Sequence, residues 1–155
     1  MILYHGTNVF FEQVALSECK PFKDFGMGFY LTPNKRDARA RAVNKCNKES
    51  FGTPVVLAFH IEEKELEKME VKRFESVSEE WVDFVLANRD RRNRKHHSFD
   101  VVIGPIADDG VILSLQLYEQ KVIDKPELIK RLTFARPTEQ YCFCTQRAID
   151  ALRPL

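Results

Sequence analysis

Three short stretches of the sequence combine residue types that can hold or activate a ligand. An imidazole donates or accepts hydrogen bonds, and a phenol ring offers a flat face for stacking. A side-chain amide orients a hydroxyl group but has no charge with which to act as a general base. Taken one at a time, these residues have ordinary structural interpretations as a bonded histidine, a core tyrosine and a solvated strand-edge glutamine. The residues concerned are His5, Gly6 and Thr7, then Gly28, Phe29 and Tyr30, and last Gln140.

The second stretch, FGMGFYLT from Phe25 to Thr32, places two glycines at the start of a predicted strand. Glycine weakens a strand, because it has no side chain to pack and loses more conformational freedom than other residues. Two interpretations stay open. The glycines shape an ordinary turn, or another group approaches the backbone closely at this point.

Apolar periodicity and capping residues predict the elements that hold these stretches. Strands and helices alternate irregularly, without a regular βαβ period, which favours an α+β fold over a doubly wound parallel sheet. We expect strands at 1–4, 28–32, 54–61, 100–106 and 140–145, and helices at 34–48, 78–88, 111–119, 126–132 and 146–152. Thr32 is the expected N-cap of the first helix, with Pro33 at its first position, and Ser78 is that of the second. The charged segment 62–73 is expected to begin as a helix or turn.

Composition limits the class of protein. The 155 residues are expected to form a single domain, residues 1–155, and the formal net charge of +1 argues against a strong electrostatic footprint on nucleic acid or membrane. The basic segment Arg89–His97 is therefore interpreted as a solvated or partly disordered loop, with binding of RNA, DNA or an acidic partner as the alternative. No apolar run reaches the roughly 18 residues that cross a bilayer, and we expect no signal peptide and a cytoplasmic location.

The cysteines give no metal-binding pattern. Cys142 and Cys144 alternate with Phe143, so both thiols are expected on one face of a strand, and no second half-site with zinc spacing follows. His96 and His97 also lack companion ligands. We therefore predict reduced structural thiols and no metal site.

Together and in this order, the three stretches resemble the ADP-ribosyltransferase superfamily, in its poly(ADP-ribose) polymerase-like branch of His-Tyr-Glu or His-Tyr-Gln type. His5-Gly6-Thr7 matches the first motif of that branch, and Gly26 to Thr32 with the following helix matches the second. Gln140 lies at the catalytic position of the third. The chain also looks like a family of short bacterial proteins of unknown function with the HGT, GFYLT and final Gln pattern. The resemblance covers almost the whole chain.

This resemblance implies an ADP-ribosyltransferase-type α+β fold, in which two packed antiparallel or mixed half-sheets form an NAD cleft flanked by helices. It implies catalytic roles for His5, Tyr30 and Gln140. His5 would bond an adenosine ribose hydroxyl as a neutral donor, and Tyr30 would stack on the nicotinamide ring. The implied cofactor-binding residues are His5, Gly6, Thr7, Gly28, Phe29 and Tyr30, with Gly6 letting the ring approach the main chain.

The sequence departs from the family at its third motif, where Gln140 replaces the usual glutamate. That replacement favours transfer of a single ADP-ribose unit, or a protein that only binds NAD. Glu139 is adjacent but is expected on the opposite face of the strand. Asp108 and Asp109 are reserve candidates for the missing acid, although such a pair is also typical of a turn and helix cap.

Two further groups of residues are candidates through the resemblance. The helix after the Tyr30 strand carries arginines that either reach the NAD pyrophosphate or form a solvated face. The loop 20–25 lies where the family places a lid, so Phe22 or Phe25 either flanks the cofactor or belongs to the core. The arginines are Arg36, Arg39 and Arg41.

The predicted function is an NAD-dependent mono-ADP-ribosyltransferase that cleaves the nicotinamide–ribose bond and modifies a protein or nucleic acid. The resemblance also implies a bacterial toxin or effector, paired with a small neutralising antitoxin protein. Three alternatives stay open: an inactive NAD- or ADP-ribose-binding module, an NAD glycohydrolase with water as acceptor, and an interaction domain that has kept only the fold.

Overall fold

The structure is a computed structural model that describes residues 1–107, 109–133 and 138–155. Its strands are β1 (Ile2–Thr7), β2 (Phe29–Leu31), β3 (Val55–His60), β4 (Val71–Arg73), β5 (Val101–Pro105), β6 (Glu139–Phe143) and β7 (Arg153–Pro154). Its helices are α1 (Lys35–Glu49), α2 (Glu63–Leu66), α3 (Glu79–Arg89), α4 (Asp109–Glu119), α5 (Lys125–Leu132) and α6 (Gln146–Asp150), with a 3₁₀ turn at Leu16–Glu18. None of the helices in these ranges is long and apolar enough to cross a membrane.

The strands form two sheets, as an α+β fold with two half-sheets requires. Sheet A is antiparallel with the order β1-β3-β7, and sheet B has the order β2-β6-β5-β4. Only the pairing of β4 with β5 is parallel, so sheet B is mixed. Tyr4 and Thr32 join the two sheets, because each backbone N–H donates to the other residue's carbonyl at 2.8 and 2.9 Å.

Sheet B separates two hydrophobic cores, since alternate side chains of a strand face opposite sides. Phe29 and Leu31 of β2 point toward sheet A, whereas Tyr30 points toward the helices α3, α4 and α5. The same alternation along β6 places Tyr141 and Phe143 in the inter-sheet core. Any side chain of sheet B that faces these helices therefore lies on the same face of the sheet as Tyr30.

Most of the predicted elements are present, with ends that differ by a few residues, and the N-cap of α1 is the clearest correction. Asn34, not Thr32, caps this helix, since its side chain accepts a hydrogen bond from the Arg36 N–H at 2.9 Å. Thr32 is held in an extended conformation by its bridge to Tyr4, so the helix begins only after Pro33. The predicted Ser78 cap of α3 is confirmed.

Two short strands do not follow from the sequence pattern. The segment 62–73 contains β4 as well as α2. The last helix ends at Asp150 rather than Leu152, because the chain turns back and Arg153 pairs with His60 as β7. A strand of two or three residues is too short to show a periodic pattern in the sequence. Pairing with a neighbouring strand determines whether it forms.

The two glycines of FGMGFYLT have structural reasons to be glycine. Gly26 has φ of +86°, a left-handed conformation that an L side chain strains. A Cβ on Gly28 would lie 2.5 Å from the Cys142 Sγ and 2.7 Å from the Phe143 carbonyl oxygen, so close packing on β6 requires its absence. Gly26 makes a turn and Gly28 allows a close backbone approach, which joins the two interpretations of this stretch.

Candidate functional site

A cavity of about 320 Å³ opens on the helical side of sheet B, beside the turn that precedes β2. Its volume lies at the lower end of the range of about 300–1,000 Å³ that is usual for small-molecule sites. Two of the three predicted catalytic residues, Tyr30 and Gln140, line it together. The lining consists of Phe22, Lys23, Asp24, Tyr30, Arg41, Arg89, Ile106, Ala107 and Gln140.

Tyr30 is fixed by two hydrogen bonds at its hydroxyl and by a packed ring. Its hydroxyl donates to the Gly26 carbonyl at 2.7 Å and accepts from the Phe25 N–H at 2.9 Å. The Phe25 ring packs against it with the ring planes 24° apart. Burial, which leaves Tyr30 only 9% exposed, raises the pKa of its hydroxyl well above the usual value, so the group stays protonated. Tyr30 therefore presents a neutral, rigid ring to the cavity.

Gln140 reaches the same cavity from β6 and is only 3% exposed. Its Nε2 lies 3.4 Å from the Pro105 carbonyl, a long hydrogen bond that orients the amide. Glu139 is exposed and pairs with Arg73 at 3.3 Å, so it takes no part in lining the cavity. Asp108 and the side chain of Asp109, the reserve acids, lie outside the described residues.

The cavity lining is basic. Arg89 pairs with Asp24 at 3.3 Å. Lys23 and Arg41 have no carboxylate within ion-pair distance among the residues that the structure describes. Desolvation lowers the pKa of the Lys23 ammonium, and it raises the pKa of the Asp24 carboxyl despite the neighbouring guanidinium of Arg89. With three cations and one carboxylate, the lining has an excess of positive charge that suits an anionic ligand.

His5 does not line the cavity but is bonded to the strand that does. Its Nδ1 lies 2.8 Å from the Tyr30 carbonyl oxygen, and because a carbonyl only accepts, Nδ1 must carry the proton. Burial lowers the pKa of His5 to about 4, so the ring is neutral and Nε2 is an acceptor. The ring packs against Phe29, 4.6 Å between centroids, and against Phe11. A neutral His5 in this tautomer can accept a hydrogen bond from a hydroxyl at Nε2, which differs from the donor role expected from the sequence.

The other predicted cofactor-binding residues lie in packed surroundings. A Cβ on Gly6 would lie 1.9 Å from the Ala38 carbonyl oxygen, so this glycine lets α1 pack directly on β1. Thr7 is buried, and its Oγ1 has no hydrogen-bond partner in the described part of the chain. Phe29 lies in the inter-sheet core and Gly28 against β6. None of these four residues lines the cavity.

The lid segment contributes more than the aromatic residues suggested by the sequence. Phe22 lines the cavity with φ of +58°, a strained conformation for a bulky side chain, whereas Phe25 is fully buried in the core. No sequence motif points to the charged residues between them, or to Arg89 at the end of α3. The one sequence feature that could have identified Lys23 and Asp24 is their position in the loop 20–25, where the family places a lid. Of the three candidate arginines on α1, Arg41 alone lines the cavity.

Cys142 is the cross-strand partner of Tyr30, and both cysteines pack in the same cluster as Tyr30, on one side of the strand as predicted. Their sulfur atoms are 3.2 Å apart and both thiols are free. The Cys142 thiol and the His97 imidazole both lower the pKa of Cys144, while burial raises that of Cys142. His97 donates from Nε2 to the Phe25 carbonyl at 2.7 Å, so it has a structural role at the end of a basic segment that is mostly exposed over residues 91–96. No group of three potential ligands within the described ranges can hold a metal ion.

A second, larger cavity of about 560 Å³ lies between the 3₁₀ turn and α6. Its rim carries Glu12, Glu18 and Asp150 and no cation, over an apolar floor that includes Phe59 and Ile149. A cavity of this charge repels a phosphate-bearing ligand. The smaller basic cavity is therefore the better candidate for a nucleotide.

The chain matches a family model described as "Protein of unknown function (DUF3990)" over residues 1–153. No curated protein and no solved structure matches it significantly.

Proposed function

We propose that this chain, which belongs to the DUF3990 family of proteins of unknown function, is an NAD-dependent mono-ADP-ribosyltransferase. The observation that carries the proposal is that Tyr30 and Gln140, which the sequence motifs single out, meet in one basic cavity. They come from β2 and β6, which are neighbours in sheet B. Two residues far apart in the chain thus face one space at the positions expected of a ring-stacking and a ribose-orienting residue.

The charge of the cavity favours a ligand with a pyrophosphate. Lys23, Arg41 and Arg89 stand against a single carboxylate, Asp24, so the lining has an excess of positive charge. A pyrophosphate carries about two negative charges, and charge-assisted hydrogen bonds to Lys and Arg are roughly twice as strong as neutral ones. NAD combines this group with a flat ring that can stack on a phenol, a pair of features that matches the lining of the cavity.

The proposed reaction breaks the bond between nicotinamide N1 and ribose C1′. The bonding electron pair leaves with nicotinamide, which becomes neutral, and C1′ takes on oxocarbenium character. An acceptor oxygen or nitrogen then bonds to C1′ and loses its proton. Because nicotinamide departs as a neutral molecule, the reaction needs no general acid for the leaving group.

Gln140 can orient a ribose hydroxyl through its amide, but it cannot take the acceptor's proton. Positioning rather than base catalysis is therefore the contribution that it makes. This limits the acceptor to groups that lose their proton to water or to their own neighbours. Transfer of one ADP-ribose unit fits this limit better than chain elongation does.

His5 contributes first as a positioning residue, through its bond to the Tyr30 main chain. His5 does not line the cavity, so contact with the adenosine ribose requires that part of NAD to extend beyond it, and the neutral Nε2 would then accept from a hydroxyl. A hydroxyl that donates to Nε2 would keep the ring in the tautomer that bonds Tyr30. Nε2 of His5 then bonds the ligand, while Nδ1 of the same ring bonds β1 to β2 through the Tyr30 carbonyl.

A binding module that does not cleave NAD is the second candidate, and the charges of the cavity favour it. Positive side chains beside C1′ oppose the positive charge that develops there, and Gln140 supplies no carboxylate to offset them. Cleavage then depends on how far the pyrophosphate neutralises Lys23 and Arg41. An NAD glycohydrolase would use the same site with water as acceptor.

A thermal-shift titration with NAD, with nicotinamide release measured in the same samples, tests the proposal. A ligand at 100 times its Kd stabilises the folded state by about 2.7 kcal/mol, or roughly 5–10 °C for a chain of this size. The variant Tyr30→Leu is expected to lose this shift. Tyr4→Leu is its matched control, because Tyr4 is a partly buried tyrosine beside Lys35 that does not line the cavity.

Each outcome has a distinct meaning. A shift that is lost only in Tyr30→Leu, with nicotinamide released by the unmodified protein, supports an NAD-cleaving enzyme. The same shift without release, in the presence of lysate as a source of acceptors, supports the binding module instead. The absence of any shift at millimolar NAD overturns both.

A further inference from the structure

We infer that Lys23 is a specificity-determining residue. Its ammonium covers the Tyr30 ring against ligands that lack a phosphate, and it moves off the ring when the ligand carries one. The inference rests on the proposed function, since it concerns how the same cavity tells intact NAD from free nicotinamide. It assigns a role to a residue that no motif identifies. Lys23 lies in the segment before β2, next to the strained Phe22.

The Lys23 ammonium lies 4.9 Å from the centroid of the Tyr30 ring. This is within the distance of about 6 Å at which a cation is attracted to the face of an aromatic ring. Both side chains line the cavity, so the ammonium covers the part of the ring that a ligand in the cavity would reach. A ring that stacks on Tyr30 must therefore displace Lys23 first.

Nothing else in the described part of the chain holds the ammonium in place. The Lys23 side chain makes no hydrogen bond or ion pair with the described residues, and the ammonium contacts the Tyr30 ring. Desolvation lowers the pKa of its ammonium, which indicates that the charge is incompletely compensated at this position. Lys23 is an exposed residue, and its ammonium stands at the end of a flexible four-carbon stem. The side chain therefore has room to move away from the ring.

The identity of the incoming ligand decides whether this displacement is favourable. Free nicotinamide removes the cation–π contact and offers the ammonium no negative charge in return. NAD removes the same contact but brings a pyrophosphate into a cavity that also contains Arg41, so Lys23 gains a charge-assisted hydrogen bond. The same movement that costs free energy with nicotinamide gains it with the dinucleotide.

This exchange has a consequence for turnover. After the nicotinamide–ribose bond breaks, the nicotinamide no longer belongs to a molecule that carries phosphate. Lys23 can return to the Tyr30 ring once the phosphate leaves, and it then competes with rebinding of the released ring. Product inhibition by nicotinamide is thereby weakened.

Binding of three separate ligands to the variant Lys23→Met tests the inference. Methionine keeps a flexible side chain of similar reach but has no charge. Nicotinamide alone is expected to bind the variant about two- to fivefold more tightly, the value of an exposed cation–π contact. ADP-ribose, which has the pyrophosphate without the ring, is expected to bind about tenfold more weakly. Isothermal titration calorimetry measures both, and NAD serves as the third ligand.

Lys35→Met is the matched control, because Lys35 lies 5.9 Å from the Tyr4 ring and does not line the cavity. It is expected to change neither affinity. The opposite direction of the two effects is the decisive readout, since a general loss of folding or of positive charge would weaken binding of both ligands.

The outcomes separate this inference from the proposed function. If the unmodified protein binds NAD and ADP-ribose but Lys23→Met leaves nicotinamide affinity unchanged or lower, Lys23 does not guard the ring and the inference is overturned, while the function stands. If the unmodified protein binds none of the three ligands, the proposed function fails and the inference fails with it. Tighter nicotinamide with weaker ADP-ribose supports both.

Discussion

Tyr30 on β2 and Gln140 on β6 line the same cavity from one face of sheet B, whereas their sequence neighbours Phe29 and Glu139 do not. The alternation of side chains along a strand produces this separation, so a shift of either strand by one residue would turn that strand's member of the pair to the opposite face of the sheet. The pairing of Leu31 with Tyr141 sets the register of the two strands. The site is thus fixed by backbone pairing before any side-chain interaction contributes.

Replacing Gln140 by glutamate is expected to increase nicotinamide release. A positioned general base contributes about 10²–10⁴-fold to a rate. The buried position next to the Pro105 carbonyl disfavours the ionised form, and we therefore expect a gain of roughly tenfold at pH 7, growing with pH. The measurement is the initial rate of nicotinamide release at saturating NAD between pH 6 and 9.

Gln140→Ala is the control for that change, because it removes the amide without adding a charge. We expect it to reduce release and NAD affinity together. A Gln140→Glu variant that folds and binds NAD but releases nicotinamide no faster at any pH would count against the catalytic assignment of position 140.

Removing the Tyr30 hydroxyl is expected to separate stability from binding. In Tyr30→Phe the Gly26 carbonyl and the Phe25 N–H lose their partner, at a cost of about 1–3 kcal/mol in the free energy of unfolding. The ring remains, so NAD affinity should change less than twofold. Urea unfolding combined with an NAD titration measures both. Tyr4→Phe is the matched control, since the Tyr4 hydroxyl makes no hydrogen bond to any described residue.

The sequence predicts the long elements, because each of them rests on a local pattern. The apolar run along 54–61 and the serine cap before α3 need no distant partner, and the structure confirms both. Local periodicity does not distinguish Tyr30 and Gln140 from ordinary strand residues. Only the resemblance of their motifs to a known family singles them out.

The remaining features depend on contacts that no local pattern encodes. The family resemblance assigns Gly6 to a ligand, but the Ala38 carbonyl occupies the space above it, and only the docking of α1 reveals this. The charges of the cavity, from Lys23 and Arg89, come from a loop and a helix end whose meeting point is set by tertiary packing. Thr32 has the chemistry of a helix cap, yet its bridge to Tyr4 prevents that role.

Gly6→Ala is expected to unfold or strongly destabilise the protein, rather than to impair only ligand binding. The new methyl group would lie 1.9 Å from the Ala38 carbonyl oxygen, so α1 would have to move away from β1. Overpacking of this kind against a backbone costs more than about 3 kcal/mol. Thermal unfolding by calorimetry measures the loss. A stable Gly6→Ala protein that has merely lost NAD binding would instead support the ligand-approach role predicted from the sequence.

Acidification is expected to destabilise the protein through His5. Its pKa in the folded state, about 4, lies below the ordinary value of 6.5, so the unfolded chain binds more protons between these pH values. Stability is therefore fully present above pH 6.5 and is lost as the pH falls toward 4, by up to about 3 kcal/mol. Urea unfolding at pH 7, 6, 5 and 4 measures this slope.

The variant His5→Gln isolates the contribution of His5 from that of the carboxyl groups that titrate in the same range. It is expected to be less stable than the unmodified protein at pH 7, because the bond to the Tyr30 carbonyl is altered, and to lose less stability on acidification. Parallel pH profiles for the two proteins would show that His5 titrates normally and would contradict its burial in the neutral form.

Alkylation at neutral pH is expected to modify Cys144 before Cys19. Both thiols are partly buried, but hydrogen bonding with Cys142 and the nearby His97 lower the pKa of Cys144, whereas burial raises that of Cys19. A larger share of Cys144 is therefore thiolate at neutral pH, and the thiolate is the nucleophile. Iodoacetamide labelling followed by peptide mass spectrometry measures the two rates across pH 5–9.

His97→Ala should move the midpoint of the Cys144 profile to higher pH and leave that of Cys19 unchanged. Equal rates for the two thiols, or a midpoint that His97→Ala does not move, would rule out an activated thiol beside Tyr30. The Cys142 thiol contacts both Cys144 and the Tyr30 hydroxyl. Alkylation at Cys144 is therefore also expected to disturb the Tyr30 ring and to weaken NAD binding.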